Sequence, residues 1–359
     1  MSHKLPLPAA SLPTISIIIP VHNGGTAFRR CLESLQSFRP HPDRVSTEVI
    51  VVADGCTDGS DRLAEAFGAT VLRTPRAGGP ARARNLGARQ ARGEVLFFVD
   101  ADVTLHPDTI LQVASLFQAD PNLAAAIGSY DDAPGATNFL SQYKNLFHHY
   151  THQTSQAEAF TFWGACGAIR REIFWQVGGF DQRYRRPSIE DIELGYRLKQ
   201  QGYSIRLCKT LYVKHLKRWE PISLLRAEFF YRALPWTELL LQRQQMANDL
   251  NLNQTTRLSV VLTYGLILCL LAGSQGLLGL VGAGVISLLL LLLNRPVYQF
   301  FHRQRGAWFM VQTIPWHWLY FGYCGLAYGL GIARHQLRQG RSFYRLGLKP
   351  LFSTFALGR

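Results

Sequence analysis

The sequence lacks several short motifs that mark common protein classes. Its six cysteines are scattered and form no Cys-x-x-Cys pair, which argues against zinc-finger and redox motifs and is typical of reduced, mostly buried thiols in a cytosolic domain. The first residues, MSHKLPLPAASLP, contain no apolar segment, so we expect no signal peptide. The loop PVHNGG matches neither the glycine pattern of dinucleotide-binding domains nor that of P-loop enzymes, which argues against both site types.

Acidic residues are scarce relative to basic ones. The chain has 38 Lys and Arg against 24 Asp and Glu, a formal net charge of +14. Nucleic acid, anionic lipid or a phosphorylated substrate would each suit such a surplus. Because there is no zinc-finger spacing, RNP motif or basic heptad, and many basic residues flank apolar segments, the pattern favours a membrane surface and no nucleic-acid partner.

From Leu258 onward charged residues almost vanish over long runs, which indicates a soluble domain followed by a membrane region. The linker between them mixes arginine with large apolar residues, a pattern that fits a helix lying on a membrane as well as a packed surface helix. The predicted organisation is an N-terminal tail (1–14), a catalytic domain (15–220), an amphipathic or interfacial helical linker (221–257), a membrane region (258–333) and a basic tail (334–359).

The membrane region reads as a hairpin and one further segment. The run 258–293 carries no charge, but as one helix it would be about 54 Å long against a hydrocarbon core of about 30 Å. GSQG (273–276) offers a turn, so we expect two short spans, and a further apolar segment covers 307–333. We expect a multi-pass protein of the inner or plasma membrane with a cytoplasmic catalytic domain. Three full spans would place the basic tail outside, so either the last segment is re-entrant or interfacial, or the positive-inside rule fails here.

The soluble part alternates short apolar strands with helical patterns, which predicts an α/β fold with a mostly parallel sheet and helices on both faces. Ligands bind such sheets beyond the carboxyl ends of the strands. The expected strands are ISIII (15–19), EVIVVA (48–53), ATVLR (69–73), EVLFFV (94–99) and AAAIGS (124–129), and the expected helices cover 28–38, 60–67, 81–91 and 106–117.

Two acids follow the fourth strand in FFVDADV. Asp100 and Asp102 would project from one short turn. Carboxylates in that arrangement suit Mg²⁺ or Mn²⁺ bridged to substrate phosphates. An ordinary acidic turn can have the same residue pattern. Their position after a wholly apolar strand favours a ligand site, because two unpaired buried carboxylates are costly.

Polar residues also follow the other strands. In DGCTDGS, Asp54 could accept hydrogen bonds from a nucleobase or ribose, while Asp58 or Ser60 caps the next helix. Gly78 and Gly79 precede a helix carrying Arg84 and Asn85, a combination that suits a diphosphate and is equally compatible with ordinary surface residues.

Three residues near the end of the domain are candidates for catalysis or metal binding. Glu190 and Asp191 begin a helix, where the helix dipole favours carboxylates, and one of them could serve as a general base. His215 in KHLKRW could be a third metal ligand with Asp100 and Asp102, or an ordinary structural histidine.

Taken in order, SIIIPVHNGG, VVADGCTDGS, ARARNLGA, FFVDADV, GGFD and IEDIELGYRL resemble the family 2 glycosyltransferases of the GT-A fold, over roughly 15–219. The resemblance implies a nucleotide-sugar donor, usually a UDP-sugar, and transfer of one sugar with inversion. It implies that Asp54 and the first loop, with Pro20, His22 and Asn23, bind the nucleoside. It further implies that Asp100 and Asp102 act with the metal on the diphosphate, and that Asp191 deprotonates the acceptor.

The sequence departs from membrane-bound synthases of this family, which often carry Gln-x-x-Arg-Trp, because here His215 stands at the first position. We therefore expect single-sugar transfer to a lipid acceptor such as a polyprenyl phosphate, or to a glycan at the membrane. The alternatives are a processive polysaccharide synthase and a non-catalytic membrane protein with a degenerate nucleotide-binding domain. A nucleotidyltransferase would need a basic loop after the first strand, and PVHNGG has none.

Overall fold

The computed structural model describes residues 11–36, 45–243, 250–274 and 276–345. The chain divides into two compact units, Met1–Pro221 and Ile222–Arg359. The first unit contains the sheet and the second is helical. The predicted N-terminal tail and the predicted basic tail lie partly outside the described residues.

The first half of the sheet follows the predicted alternation of strands and helices. β1 pairs with β2 and β4, and β2 pairs with β3, all in parallel. The carboxyl ends of these strands therefore meet at one edge. The bounds are β1 Ile15–Val21, α1 Gly25–Leu35, β2 Thr47–Asp54, α2 Ser60–Phe67, β3 Thr70–Thr74, α3 Pro80–Gln90 and β4 Val95–Val99.

The second half of the sheet is mixed in direction. The eight strands lie in the order β3-β2-β1-β4-β7-β6-β8-β5. β7 is antiparallel to both β4 and β6, and β5 is antiparallel to β8, while β6 and β8 are parallel. The α/β class is confirmed, with antiparallel strands added on one side. The bounds are β5 Val103–Leu105, α4 Thr109–Ala119, β6 Ala125–Tyr130, α5 Phe139–Thr154, β7 Cys166–Arg170, α6 Arg171–Gln176, α7 Glu190–Gln200 and β8 Ile205–His215.

A cluster of aromatic rings fixes the strand that precedes the two acids. Every residue of β4 is buried, and the ring of Phe98 lies 5.0–6.2 Å from the rings of Phe162, Phe174 and Phe180. Burying one such side chain contributes about 1.5–3 kcal/mol. Asp100 and Asp102 therefore leave the sheet from a strand anchored on both faces.

The second unit begins with a continuous helical segment over the predicted linker, of which 244–249 lie outside the described residues. Ile222 and Phe230 are 82% and 57% exposed, whereas Trp236, Leu239 and Leu240 are buried. Some apolar side chains of this segment are therefore packed inside the protein, and others are exposed. It consists of α8 Pro221–Arg226, a π-helical stretch Ala227–Ala233 and α9 Leu234–Arg243.

The apolar run forms a helical hairpin, with α10 at Gln254–Gly273 and α11 at Leu277–Leu293. The two helices approach closely, because a Cβ at Gly279 would lie 2.3 Å from the amide nitrogen of Gly273. At the open end, Asn294 Nδ2 donates to Ser259 Oγ at 2.9 Å. The break between the helices thus falls at GSQG, where the sequence predicts a turn.

The last helix, α12 (Arg295–Arg345), includes the predicted segment 307–333 and breaks at Gly306, where φ is 85°. Among the described helices, Gln254–Gly273 alone is long and apolar enough to cross a membrane by itself. A second crossing would require Leu277–Leu293 and Arg295–Arg338, bent by 65°, to act as one broken span. The predicted multi-pass arrangement is therefore not confirmed by helix length and composition.

Candidate active site

Asp102 and His215 meet because of how β5 pairs. The three residues of β5 run antiparallel to the end of β8, with Val103 opposite His215, and Leu216 N donates to the carbonyl oxygen of Asp102 at 2.8 Å. His215 Nε2 consequently lies 3.5 Å from Asp102 Oδ2. Two of the three predicted metal ligands are thus brought together by a strand too short to recognise in the sequence.

The environment of Asp102 keeps it ionised. Burial acts to raise the pKa of this carboxyl, but the opposing charge of the His215 imidazole, with Lys217 nearby, lowers the pKa to about 2. An opposite charge within a few ångströms favours the charged form. Asp102 therefore offers a full negative charge at the carboxyl edge of the sheet.

Asp100, the other acid of the pair, is held by a buried arginine. Arg84 Nη2 donates to Asp100 Oδ1 at 2.6 Å, and Arg84 Nη1 donates to Glu190 Oε1 at 2.9 Å. Burial acts to lower the pKa of Arg84, but the carboxylates of Asp100, Glu190 and Asp191 raise it above its ordinary value. The guanidinium thus stays charged and ties the turn after β4 to the start of α7.

Arg84 and Asn85 both have partners inside the protein. Arg84 is 4% exposed and bonds to two carboxylates. The Asn85 side chain is buried and exchanges two hydrogen bonds with the backbone of Phe180, at 2.8 and 2.9 Å. Both side chains therefore support the surrounding structure, and the contact with the donor that the sequence predicts for them stays a prediction.

Glu190 and Asp191 are neighbours with different surroundings. Glu190 is 4% exposed, accepts from Arg84 and from the Ser188 amide, and burial raises its pKa. Asp191 is half-buried and accepts a hydrogen bond from Gly164 N at 3.0 Å. Glu190 is thus buried against Arg84, whereas Asp191 keeps partial exposure. The catalytic roles predicted for Glu190 and for Asp191, the candidate base, stay predictions.

Asp54 is bonded to the chain itself. Its carboxylate accepts from Gly78 N and Gly79 N at 2.8–2.9 Å and from Thr74 Oγ1 at 2.7 Å. The loop fits tightly, since a Cβ at Gly79 would lie 2.4 Å from the Arg185 carbonyl oxygen. Asp54 thus shapes the loop before α3, and a nucleoside contact by Asp54 itself stays a prediction.

The loop after β1 is joined to the loop after β2 by side-chain hydrogen bonds. His22 Nδ1 lies 2.7 Å from the Asp54 carbonyl oxygen, and Asn23, at a φ of 52°, accepts from Thr57 N at 2.8 Å. Asp58 accepts from the amides of both Gly25 and Ser60. Pro20 lies within β1. The four residues predicted to bind the nucleoside, Pro20, His22, Asn23 and Asp54, thus lie at the carboxyl edge of the sheet, as Asp102 does. Their contact with a donor stays a prediction.

An aromatic and imidazole layer lies behind His215, and the sequence reading missed it. Tyr130 stacks on His215 with centroids 4.5 Å apart, and Trp163 packs edge-on against Tyr130 at 4.7 Å. His148 and His152 also contact Trp163, each at 5.1 Å. The density of histidine and tyrosine in FHHYTH (147–152) was the available signal.

Comparisons with known proteins agree with this geometry. Residues 16–178 match the model of glycosyl transferase family 2. The chain is 28% identical over 209 residues to a probable glycosyltransferase, YdaM, of Bacillus subtilis, covering 54% of this chain and 49% of the relative. It is also 28% identical over 242 residues to a pre-mycofactocin glycosyltransferase of Mycobacterium tuberculosis, covering 64% and 48%. The chain thus spans about half the length of these curated relatives.

A solved structure shares the fold over almost the whole chain. It is a mannosyltransferase from Pyrobaculum calidifontis in complex with GDP-Man and Mn²⁺, with a TM-score of 0.59, 18% identity and coverage of 90% of both chains. At that identity the likeness establishes the fold alone. Residues 16–178 thus match the family 2 glycosyl transferases, and the fold is of the GT-A type.

Proposed function

We propose that this protein is an inverting glycosyltransferase that moves one sugar from a nucleotide-sugar donor, of which a UDP-sugar is the first candidate, to a membrane-associated acceptor. The observation that carries the proposal is the approach of Asp102 to His215 beside the Arg84-held Asp100, at the carboxyl edge of a GT-A sheet. The family match over 16–178 supports the same reaction class.

The site fits a divalent cation that is shared with the substrate. Among the described residues, no group of three or more His, Cys, Asp or Glu side chains could hold a metal ion. Mg²⁺ and Mn²⁺ bind through few protein ligands when substrate phosphates and water supply the rest, and Asp102 with His215 offers one carboxylate and one imidazole. A bound Mg²⁺ or Mn²⁺ would neutralise negative charge on the diphosphate. Asp102 and His215 would hold it, and Asp100 would border the same position.

Asp191 is assigned to the acceptor. A general base must reach the hydroxyl whose proton it takes, and Asp191, unlike Glu190, retains partial exposure. Its bond from Gly164 N fixes the carboxylate against the loop that carries Trp163. Arg84 and Glu190 hold this helix start beside Asp100, so the residues assigned to the donor and to the acceptor share one buried support.

The acceptor is assigned to the membrane phase because of the second unit. The hairpin exposes large apolar side chains, among them Leu268, Leu271 and Leu278, which are 67%, 66% and 90% exposed. Exposed apolar side chains grouped on one element are typical of a surface that contacts a membrane or a partner. A lipid carrying a phosphate, such as a polyprenyl phosphate, would combine an apolar tail suited to this surface with a reactive headgroup.

The test is release of nucleoside diphosphate by the full chain in detergent. UDP-, GDP- and dTDP-sugars would each be supplied with Mg²⁺ or Mn²⁺, with and without a lipid extract of the host membrane. We expect release from one donor, stimulated by the extract, and a product extended by a single sugar. Long products would instead indicate a processive synthase, and binding of nucleotide without release from any donor would favour the non-catalytic alternative.

A further inference from the structure

The helix α5 carries a row of polar side chains that hold the segment after β8. Asn138 Nδ2 donates to the Trp219 carbonyl oxygen at 2.7 Å, and Trp219 N donates to Ser141 Oγ at 2.7 Å. Asn145 Oδ1 lies 2.6 Å from His215 Nδ1. Ser141 and Asn145 are four residues apart and so share one face of α5, and Asn138 directly precedes the helix. The three side chains therefore hydrogen-bond to both ends of HLKRW (215–219).

The orientation of the Asn145 amide is fixed by a second bond. Its Nδ2 donates to the Ser141 carbonyl oxygen at 2.9 Å, and a carbonyl oxygen can only accept. The amide oxygen must therefore face His215. Asn145 is 1% exposed, so water cannot readily take the place of either partner.

This arrangement selects one tautomer of His215. An amide oxygen has no proton to give, so Nδ1 of the imidazole must carry the hydrogen. In the neutral ring Nε2 then holds the lone pair, and Nε2 is the atom that faces Asp102 at 3.5 Å. Tyr130, stacked on the ring with an interplanar angle of 6°, fixes the ring plane as well.

We propose that Asn145 is a positioning residue for cation binding, which acts by presenting the Nε2 lone pair of His215 toward Asp102. The inference rests on the metal-dependent transfer proposed above. Histidine ligands generally donate their second ring nitrogen to such a partner, and loss of the partner typically weakens metal binding by 10–100-fold. Neither the position nor the role of Asn145 is visible in the sequence motifs.

The experiment measures binding of Mn²⁺ alone to the full chain in detergent, by the loss of the free Mn²⁺ signal in electron paramagnetic resonance. Asn145→Leu keeps the side-chain shape and removes the acceptor, and we expect Mn²⁺ affinity to fall at least about 10-fold. Asn145→Asp keeps an acceptor but loses the donation to Ser141. We expect it to melt at a lower temperature while retaining Mn²⁺ affinity within about threefold.

The matched control is Asn138→Ala, at the residue that directly precedes the same helix, which bonds to the same segment at Trp219 but not to His215. We expect its Mn²⁺ affinity to stay within about twofold of the wild type. Equal losses in Asn138→Ala and Asn145→Leu, or unchanged affinity in Asn145→Leu, would overturn the proposal. No Mn²⁺ binding by the wild type would overturn this inference, whereas the metal dependence of the proposed reaction is tested separately by nucleoside diphosphate release in the presence of donor.

A spectroscopic measurement separates positioning from general support. Nitrogen-15 histidine spectra of the metal-free protein, with the His215 signal identified by its loss in His215→Gln, report which ring nitrogen carries the hydrogen. We expect Nδ1 to carry a hydrogen in the wild type and in Asn145→Asp, whether the ring is neutral or cationic, and a mixture of tautomers of the neutral ring in Asn145→Leu. A ring that carries its hydrogen at Nε2 alone in the wild type would contradict the proposal.

Discussion

Asp54 and Asp102 lie at the same edge of one sheet, and the chain treats the two carboxylates differently. Asp54 accepts from two backbone amides and one hydroxyl, whereas Asp102 faces an imidazole and is a third exposed at its side chain. The first arrangement uses charge to shape a loop. The second leaves the Asp102 carboxylate partly exposed at the carboxyl edge of the sheet, which fits the cation site proposed above.

Backbone partners occur in both halves of the sheet. In the half with parallel strands, Asn23, Asp58 and Asn85 bond to backbone groups of other loops. Beyond β4, Asp100 bonds to Arg84, and Glu190 bonds both to Arg84 and to the Ser188 amide. The feature that distinguishes the second half is therefore the buried cation of Arg84, which lies between two carboxylates.

The largest effect is expected from Asp191→Asn. Loss of the proposed base should lower sugar transfer by about 10²–10⁴-fold while donor binding is retained, because asparagine can still accept the bond from Gly164 N. Transfer rates and donor affinity would be measured together. Asp61→Asn, which removes a surface partner of Arg73 on α2, is the control, and retained transfer in Asp191→Asn would remove Asp191 from its role.

The next effect is on stability. Arg84→Met leaves two carboxylates without their buried cation, which typically costs about 3–5 kcal/mol and should lower the apparent melting temperature by roughly 10 °C. Differential scanning calorimetry measures the melting temperature of each variant. Arg73→Met, at an exposed ion pair, should change the melting temperature little. Equal shifts in the two variants would mean that the Arg84 bridge does not support the site.

The comparison of the two aspartates is tested by replacing each with alanine. Asp54→Ala leaves buried amide and hydroxyl donors unpaired, so we expect a loss of about 2–4 kcal/mol of stability. Asp102→Ala removes the partner of the buried His215, so it should also lower stability, but of the two variants it alone should weaken Mn²⁺ binding. Weakened Mn²⁺ binding in Asp54→Ala together with unchanged binding in Asp102→Ala would refute the division between the loop-shaping and the cation-binding carboxylate.

The smallest effect is expected at Thr74. Thr74→Val keeps the side-chain shape and removes the hydroxyl that donates to Asp54 Oδ1 at 2.7 Å. The expected loss is about 1 kcal/mol, with Mn²⁺ affinity unchanged. Thermal unfolding measures it, and a change in Mn²⁺ affinity would show that the two sides of the edge are coupled.

The sequence predicts the first half of the sheet well because its strands are apolar, five to eight residues long and separated by amphipathic helices. It does not reveal β5, which has three residues, or β7, whose CGAIR reads as a small-residue loop. Helix α5 was missed because polar and aromatic residues alternate without a clear apolar stripe, since its polar face is itself bonded to the chain.

In the candidate site too, residues in a clear local pattern were predicted, and contacts between distant residues were not. Asp100, Asp102 and His215 can be found from their positions after strands, and the structure places Asp102 beside His215. The partners of Arg84 and Asn85 depend on residues about 95–106 positions away. Contacts at that sequence separation have no local signature, so the bonds of Arg84 to Glu190 and of Asn85 to Phe180 could not be predicted from the sequence.

The most direct test of the account is nucleoside diphosphate release by the wild type and by Asp102→Asn, each titrated with Mn²⁺ in the presence of its donor. The account predicts that wild-type release rises with Mn²⁺ and saturates, while Asp102→Asn needs at least about 10-fold more Mn²⁺ and melts at nearly the same temperature. Equal Mn²⁺ dependence in the two proteins would contradict the claim that the edge formed by Asp102 and His215 is the reactive one.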